Sequence, residues 1–344
     1  MTQINLRFYD RLIKTLIEQD KASEAVEHCR HILMSFPKHI QTYRLFGEAS
    51  LELNRYEEAA EIFKRLLSSI PDDYIAHIGM SVILEEFGKP DSAIWHMARA
   101  YELQPYNVTI QNELRRLYNL RDGIEIRKLS LTRPALARLY ARGGLFPQAI
   151  AELNSILVDH PERIDLVILL ANLHQQTGAF QQAVTLASSV LLKLPYCLEA
   201  IRLVVITQPD SVLQPDINVI LQKYHDLDPY TRFLDDMRKN AAEVPDNKVV
   251  LDWLARYPLP ENFRETDNIR REAQNVTSTP NSWVYEEDGS VSDAVVVDST
   301  GIAPTTIPGE TRSIEISKVN LTTRNVAQTD PQDEWVVDSR DILK

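Results

Sequence analysis

The sequence predicts an all-α fold, a right-handed α-solenoid of helix-turn-helix repeats with a disordered acidic C-terminal tail. Three observations carry that reading. First, Ala25, Ala59 and Ala93 and Pro37, Pro71 and Pro105 recur at 34-residue intervals, and a second phased set follows at Ala149 and Ala183 with Pro161, Pro195 and Pro229. A fixed period of this size marks units that each bury an apolar face against the next. Second, apolar residues inside each unit fall at i, i+3, i+4 and i+7, along one helical face. Third, the periodicity stops near Glu261. The residues beyond include 16 acidic and 8 basic ones, are rich in Ser and Thr, and are punctuated by Pro280, Pro304, Pro308 and Pro331. Such a composition offers too little apolar burial to offset the entropy of ordering.

The first unit is built on Tyr9, Leu12, Leu16, Ala25 and Pro37. The second, "TYRLFGEASLELNRYEEAAEIFKRLLSSIP", carries Tyr43, Phe46, Gly47, Ala59, Phe63 and Pro71. Its small residues, Gly47 and Ala59, let two antiparallel helices approach closely while Phe46 and Phe63 fill the space around them. The third has Met80, Gly88, Ala93, Ala100 and Pro105. Each proline ends the second helix of its unit, because it cannot continue the hydrogen-bond ladder. Residues 6–107 therefore form a first array of three repeats. From Pro105 to Pro161 the interval is 56 residues, one repeat plus 22. Here "NVTIQNELRRLYNL" reads as another first helix, followed by "RDGIEIRKLSLTRP" in place of a partner, so 108–129 is an irregular connector. Either the array bends at this point, or a longer helix and loop sit inside one continuous superhelix. A second array of three repeats spans 130–231: Leu136, Ala137, Tyr140, Ala149 and Pro161, then Leu170, Ala171, Gly178, Ala183 and Pro195, then a degenerate unit from Leu198 to Tyr230 with Ile217 at the alanine position. An array must cap its last apolar face. "TRFLDDMRKNAAEV" and "NKVVLDWLARYPLP" predict two closing helices over 232–260, with Trp253 on the buried side, and the tail is 261–344.

These positions resemble the tetratricopeptide repeat, a helix-turn-helix unit whose signature sets an aromatic, Leu-Gly, a second aromatic, a central Ala, another aromatic and a final Pro at fixed offsets. The second unit matches most fully, and the resemblance covers about residues 6–231. It implies the solenoid and a protein-binding role. The family's best-known ligand mode is a clamp of Lys, Asn and Arg on a partner's C-terminal carboxylate, drawn from the inner faces of successive first helices. The matching positions here hold Asp10, Lys14, Leu45, Ile75 and Gly79 in the first array and Pro134, Arg138, Leu169, Glu199 and Leu203 in the second, so the clamp is not reproduced. The inner faces would instead present Arg7, Lys14, Arg44 and Glu48, then Arg138, Arg142, Asn172, Gln176 and Arg202. Basic and amide donors in a groove suit extended acidic peptides.

The tail supplies segments of matching sign. "DAVVVDS" (293–299) and "DEWVVDS" (333–339) share D-x-x-V-V-D-S, and "SWVYEED" (282–288) is a looser relative. Trp283, Val284, Val296, Asp298, Trp335, Val336 and Asp338 make apolar centres flanked by carboxylates, the make-up of a short docking motif. The reading is a non-enzymatic scaffold that grips partner proteins in its groove and uses the tail for a further partner or for docking on itself.

Charge and composition set limits on the rivals. A net charge of -12 and a pI near 5.2 disfavour general nucleic-acid binding. An RNA-associated alternative rests on Arg115, Arg116, Arg138 and Arg142 alone. The two cysteines, Cys29 and Cys197, stand apart and fit a reducing compartment. The first residues mix charges into their apolar stretch, unlike a signal peptide, and no stretch approaches the about 20 apolar residues of a membrane span. The expected location is cytoplasmic. No phosphate-cradling glycine run or nucleophile elbow occurs, and "EEFGKPDSA" with Lys89 reads as an inter-helix turn. The one metal-like pattern is Glu24, Glu27, His28 and His31 on a single helical face. On the outer side of a second helix, such a strip is ordinarily a solvated surface. No cofactor is expected.

Overall fold

The computed structural model describes residues 3–123, 128–207 and 215–258. Within them the 34-residue period becomes antiparallel helix pairs. The first array is α1 (Leu6–Glu18) with α2 (Ala22–Ser35), α3 (Ile40–Glu52) with α4 (Tyr56–Ser69), and α5 (Tyr74–Glu86) with α6 (Pro90–Leu103). After α7 (Val108–Asp122) come α8 (Arg133–Arg142) with α9 (Phe146–Asp159), α10 (Ile164–Gln176) with α11 (Phe180–Lys193), and α12 (Leu198–Thr207) with α13 (Pro215–Leu227). The fold is an α-solenoid.

Two local devices set the period. Helices α2, α4, α6, α9 and α11 each stop two residues before the phased proline, and the intervening residue has backbone angles near φ -128°, ψ 75°. A residue ahead of proline is driven out of helical space by the ring, so the stop is steric. The turns inside the first five pairs use left-handed backbone at Asp20, Asn54 and Gly88, then at Gly144 and Gly178. These are the residue types that tolerate positive φ.

Phe63 is the wedge of the first array. It is fully buried, and its ring lies against Gly47 on one side and Gly79 on the other. The close approach is thus made by two glycines in successive first helices around one ring, and Ala59 lines the same core.

Helix α7 stacks on α6 as a first helix would, ends at Gly123 in left-handed backbone, and has no hairpin partner among the described residues. Helix α8 also packs on α6, so the second array starts beside the first one's last helix. The two arrays then meet again. Ile201, Tyr224 and Leu227 share one core with Ile40, Phe63 and Met97, and Lys38 Nζ reaches the Tyr196 hydroxyl at 2.6 Å.

The predicted closing helices do not form. Residues 229–252 make three short 3-10 turns (Pro229–Phe233, Ala241–Glu243, Asp246–Lys248) and strand β2 (Val250–Asp252). Local polar side chains compete for the backbone here: Asp236 accepts from the Arg238 N–H and Asn240 from the Ala242 N–H. Pro245 adds a further break. Strand β2 pairs antiparallel with β1 (Gln3–Asn5), Ile4 opposite Leu251. Trp253 is buried as expected, but against α1 and α2 at the start of the chain.

Candidate partner-binding surfaces

On the inner face of the first array, Arg7 is spent on the chain's own return. Arg7 Nη1 donates to Asp246 (2.8 Å) and to the Val244 carbonyl (2.6 Å), Nη2 donates to the Ala241 carbonyl (2.6 Å), and the guanidinium lies 3.7 Å over the Tyr230 ring. Beside it Asp10 is buried. Burial raises its carboxyl to about 8, against the hydrogen bond from Thr42 and the charges of Arg11 and Arg7, while Asp228 adds to the rise. Arg44 is forked onto Asp73, which also caps α5 by accepting from the Ala76 N–H. Glu48 is pushed up to about 7 by burial, opposed by Arg44 and Lys14. Of the four candidates on this array, Lys14 alone is exposed.

A buried charge network locks the junction of the arrays. Glu102, 3% exposed, accepts from Arg163 (2.7 Å) and Arg99 (3.1 Å). Arg163 and Arg138 both reach Asp165, at 2.8 and 2.7 Å, and Arg138 faces Asp72 at 3.9 Å. Burial alone would raise the Asp165 carboxyl, yet the Arg163 hydrogen bond and the surrounding guanidinium charges bring it down to about 2. Arg138 is therefore a structural residue with 6% exposure, and its site lies inside the protein.

On the second array, Arg202 pairs with Glu199 at 2.7 Å. Arg142 is exposed and donates to the Leu103 carbonyl at 2.8 Å. Gln176 is exposed and Asn172 partly so, and neither makes a side-chain hydrogen bond within the described residues. Arg142 and Gln176 occupy equivalent places one repeat apart, near the C-terminal ends of α8 and α10, so they form an open row.

The other sequence-level candidates resolve differently. The Glu24, Glu27, His28 and His31 strip carries the returning segment 252–257. Tyr257 donates to Glu27 at 2.9 Å, Arg256 pairs with Glu27 at 2.8 Å, and His31 Nε2 lies 2.8 Å from the Asp252 carbonyl. His28 is buried with its ring 4.8 Å from Trp253 and Nδ1 2.7 Å from the Tyr9 hydroxyl; burial, with His31 adding, lowers it to about 4. Among the described residues no three His, Cys, Asp or Glu side chains are grouped to hold a metal ion. The expectation of a solvated strip is corrected: much of it is an intramolecular docking face. Of the arginines behind the RNA alternative, Arg116 is bound by Glu85 and Glu113. The tail residues Trp283, Val284, Val296, Asp298, Trp335, Val336 and Asp338 lie outside the described residues.

What the sequence missed are the partners of its candidates. Arg7 and Asp246 are 239 residues apart, and no periodicity links them.

Residues 16–78 match the family model described as tetratricopeptide repeat, and the helix pairs around them continue the same unit. This chain carries tetratricopeptide repeats. Among solved structures, it resembles that of Naa15/Naa10 bound to HypK-THB at 16% identity and a TM-score of 0.30, covering 69% of this chain and 39% of that one. It also resembles YrrB, a TPR protein with an unusual peptide-binding site, at 14% identity and a TM-score of 0.28, covering 56% of this chain and 88% of that one. A third is TTC0263, a thermophilic TPR protein of Thermus thermophilus, at 18% identity and a TM-score of 0.31, covering 56% and 94%. No curated protein matches the chain. No helix among the described residues is long and apolar enough to cross a membrane.

Proposed function

We propose that this tetratricopeptide-repeat protein is an interaction scaffold that holds an extended, acidic segment of a partner protein along the second array and works by recognition, without bond chemistry. The observation that carries the reading is the pair Gln176 and Asn172 on α10, whose side chains make no hydrogen bond within the described residues, with the exposed Arg142 one repeat earlier donating to the Leu103 carbonyl. A rigid pair of helices holds such donors at a fixed spacing, so a peptide backbone or carboxylate binds without first ordering the receptor. The tail motifs around Trp283, Val296 and Trp335 supply a second point of attachment, which raises the effective concentration of either site for a bivalent partner. The two buried free thiols, Cys29 and Cys197, fit work in a reducing, cytoplasmic setting.

The test is capture from native lysate by the full chain, compared with Asn172→Asp/Gln176→Glu and with Trp283→Ala/Trp335→Ala. Added carboxylates on the row repel an acidic peptide, so a partner held there is lost from the first variant at unchanged thermal stability. A partner retained by the row variant and lost from the tail variant refutes the row as the binding site.

A further inference from the structure

The break in the repeat leaves a slot. Helix α7 lacks the hairpin partner that every other first helix among the described residues possesses, and beside it the structure has a cleft of about 680 Å³. Tyr101 and Pro105 form one wall, Gln111 and Arg115 another, and Leu129 and Leu131 of the connector a third, with Tyr106 and Lys128 at the rim. The apolar lining is open to solvent: Tyr106 is 75% exposed and Leu131 43%, and neighbouring Val108 is 65% exposed. In a regular repeat this place belongs to a second helix, whose apolar side chains cover the first. The cleft thus pairs an apolar floor with two cationic side chains, Arg115 and Lys128.

We infer that this cleft is the docking site for the chain's own segment 333–338, Asp-Glu-Trp-Val-Val-Asp, with Trp335 seated against Tyr106 and Leu131 and the flanking carboxylates facing Lys128 and Arg115. The inference rests on the reading of the tail motifs as docking segments and names the surface they dock to. Complementarity of two kinds supports it. The segment has an apolar centre between acids, and the cleft an apolar floor between bases, so both desolvation and charge favour the match. Reach is no obstacle. The stretch of chain from residue 258 to Trp335 has a contour length of up to roughly 250 Å, many times the about 20 Å length of a 13-residue helix of this solenoid. Tethering therefore presents the motif at an effective concentration on the order of millimolar, enough to fill a weak site. Docked in this way, the tail withholds its Trp-Val motif from other proteins until a partner competes for it.

The experiment uses the full chain labelled with 5-fluorotryptophan, which gives four fluorine resonances, that of Trp335 assigned by Trp335→Phe. A docked Trp335 has a resonance displaced from that of a free peptide of residues 329–344. Tyr106→Ala is expected to lower the docking equilibrium constant about tenfold through loss of ring contact, and Lys128→Glu about fivefold. Both residues are exposed, so the variants keep the fold, which far-ultraviolet circular dichroism checks. A Trp335 resonance at the free-peptide position in the unmodified chain overturns the inference. So does a displaced resonance that neither cleft variant moves, because docking is then elsewhere. If Trp335 is free in the isolated chain while Trp335→Ala still abolishes partner capture from lysate, the cleft assignment fails and the docking role of the motif stands.

Discussion

Replacing Gly79 with Ala should destabilise the first array, although the same change in an open helix would stabilise it. A Cβ built at Gly79 falls 2.3 Å from Phe63 Cε2 and 2.6 Å from Cζ. The ring cannot yield by sliding away, because a Cβ position at Gly47 lies 2.5 Å from its other edge, so the glycines clamp it from both sides. Overpacking of this sort costs about 1–3 kcal/mol. Against it stands the helix-propensity gain of Gly→Ala, about 1 kcal/mol. The net expectation is a loss of up to roughly 2 kcal/mol. In a Phe63→Leu background the ring edge is gone, and Gly79→Ala should then return the propensity gain of about 0.5–1 kcal/mol. The substitution changes sign with its neighbour. Urea unfolding of the four proteins in this cycle, followed by circular dichroism, measures both effects and their coupling. Gly79→Ala that stabilises the parent chain, or the same sign in both backgrounds, refutes the clamp.

Three further outcomes follow from the buried polar groups and the returning segment. Glu102→Gln strips charge compensation from Arg163 and Arg99 at a site 3% exposed, and should cost about 3–5 kcal/mol in the main urea transition. Asp10, raised to about 8 by burial among Arg7, Arg11, Thr42 and Asp228, holds a proton in the folded chain that the unfolded chain releases near pH 4. Its contribution is full below pH 4 and falls by up to about 1.4 kcal/mol per unit as pH rises to 8, so Asp10→Asn should flatten the urea midpoint against pH in that window. Trp253→Ala empties the cage of Tyr9 and His28, and should cost about 3–5 kcal/mol and speed amide exchange at Leu6, which donates to the Val249 carbonyl.

The sequence exposes whatever repeats and hides whatever closes. The prolines announce the stops of α2, α4, α6, α9 and α11, because the steric rule acts on adjacent residues. The hairpin turns were equally legible in principle: Asp20, Asn54 and Gly88 stand 34 apart, as do Gly144 and Gly178, all in left-handed backbone. Residues 232–258 were not legible. Their apolar spacing fits a helix, yet Val250–Asp252 gains more by pairing with Gln3–Asn5 than by a helix interrupted at Pro245. The candidate residues lie on first helices, but the fate of Arg7 was decided by a carboxylate and carbonyls brought up from far along the chain.

That distinction bears on where a protein of this kind recognises anything. A residue in phase with the repeat has a neighbour one repeat away built to cover it, as Arg44 with Asp73 and Asp10 with Thr42 show, and the return of the chain across the first array takes Arg7 as well. Unspent binding capacity therefore collects where the phase fails. The connector supplies it: α7 without a partner helix among the described residues leaves Tyr106, Val108 and Leu131 uncovered beside the exposed Lys128. The row at Arg142 and Gln176 lies on the next first helices along the chain. In a solenoid closed on itself, the irregular element is the part of the surface free to be specific.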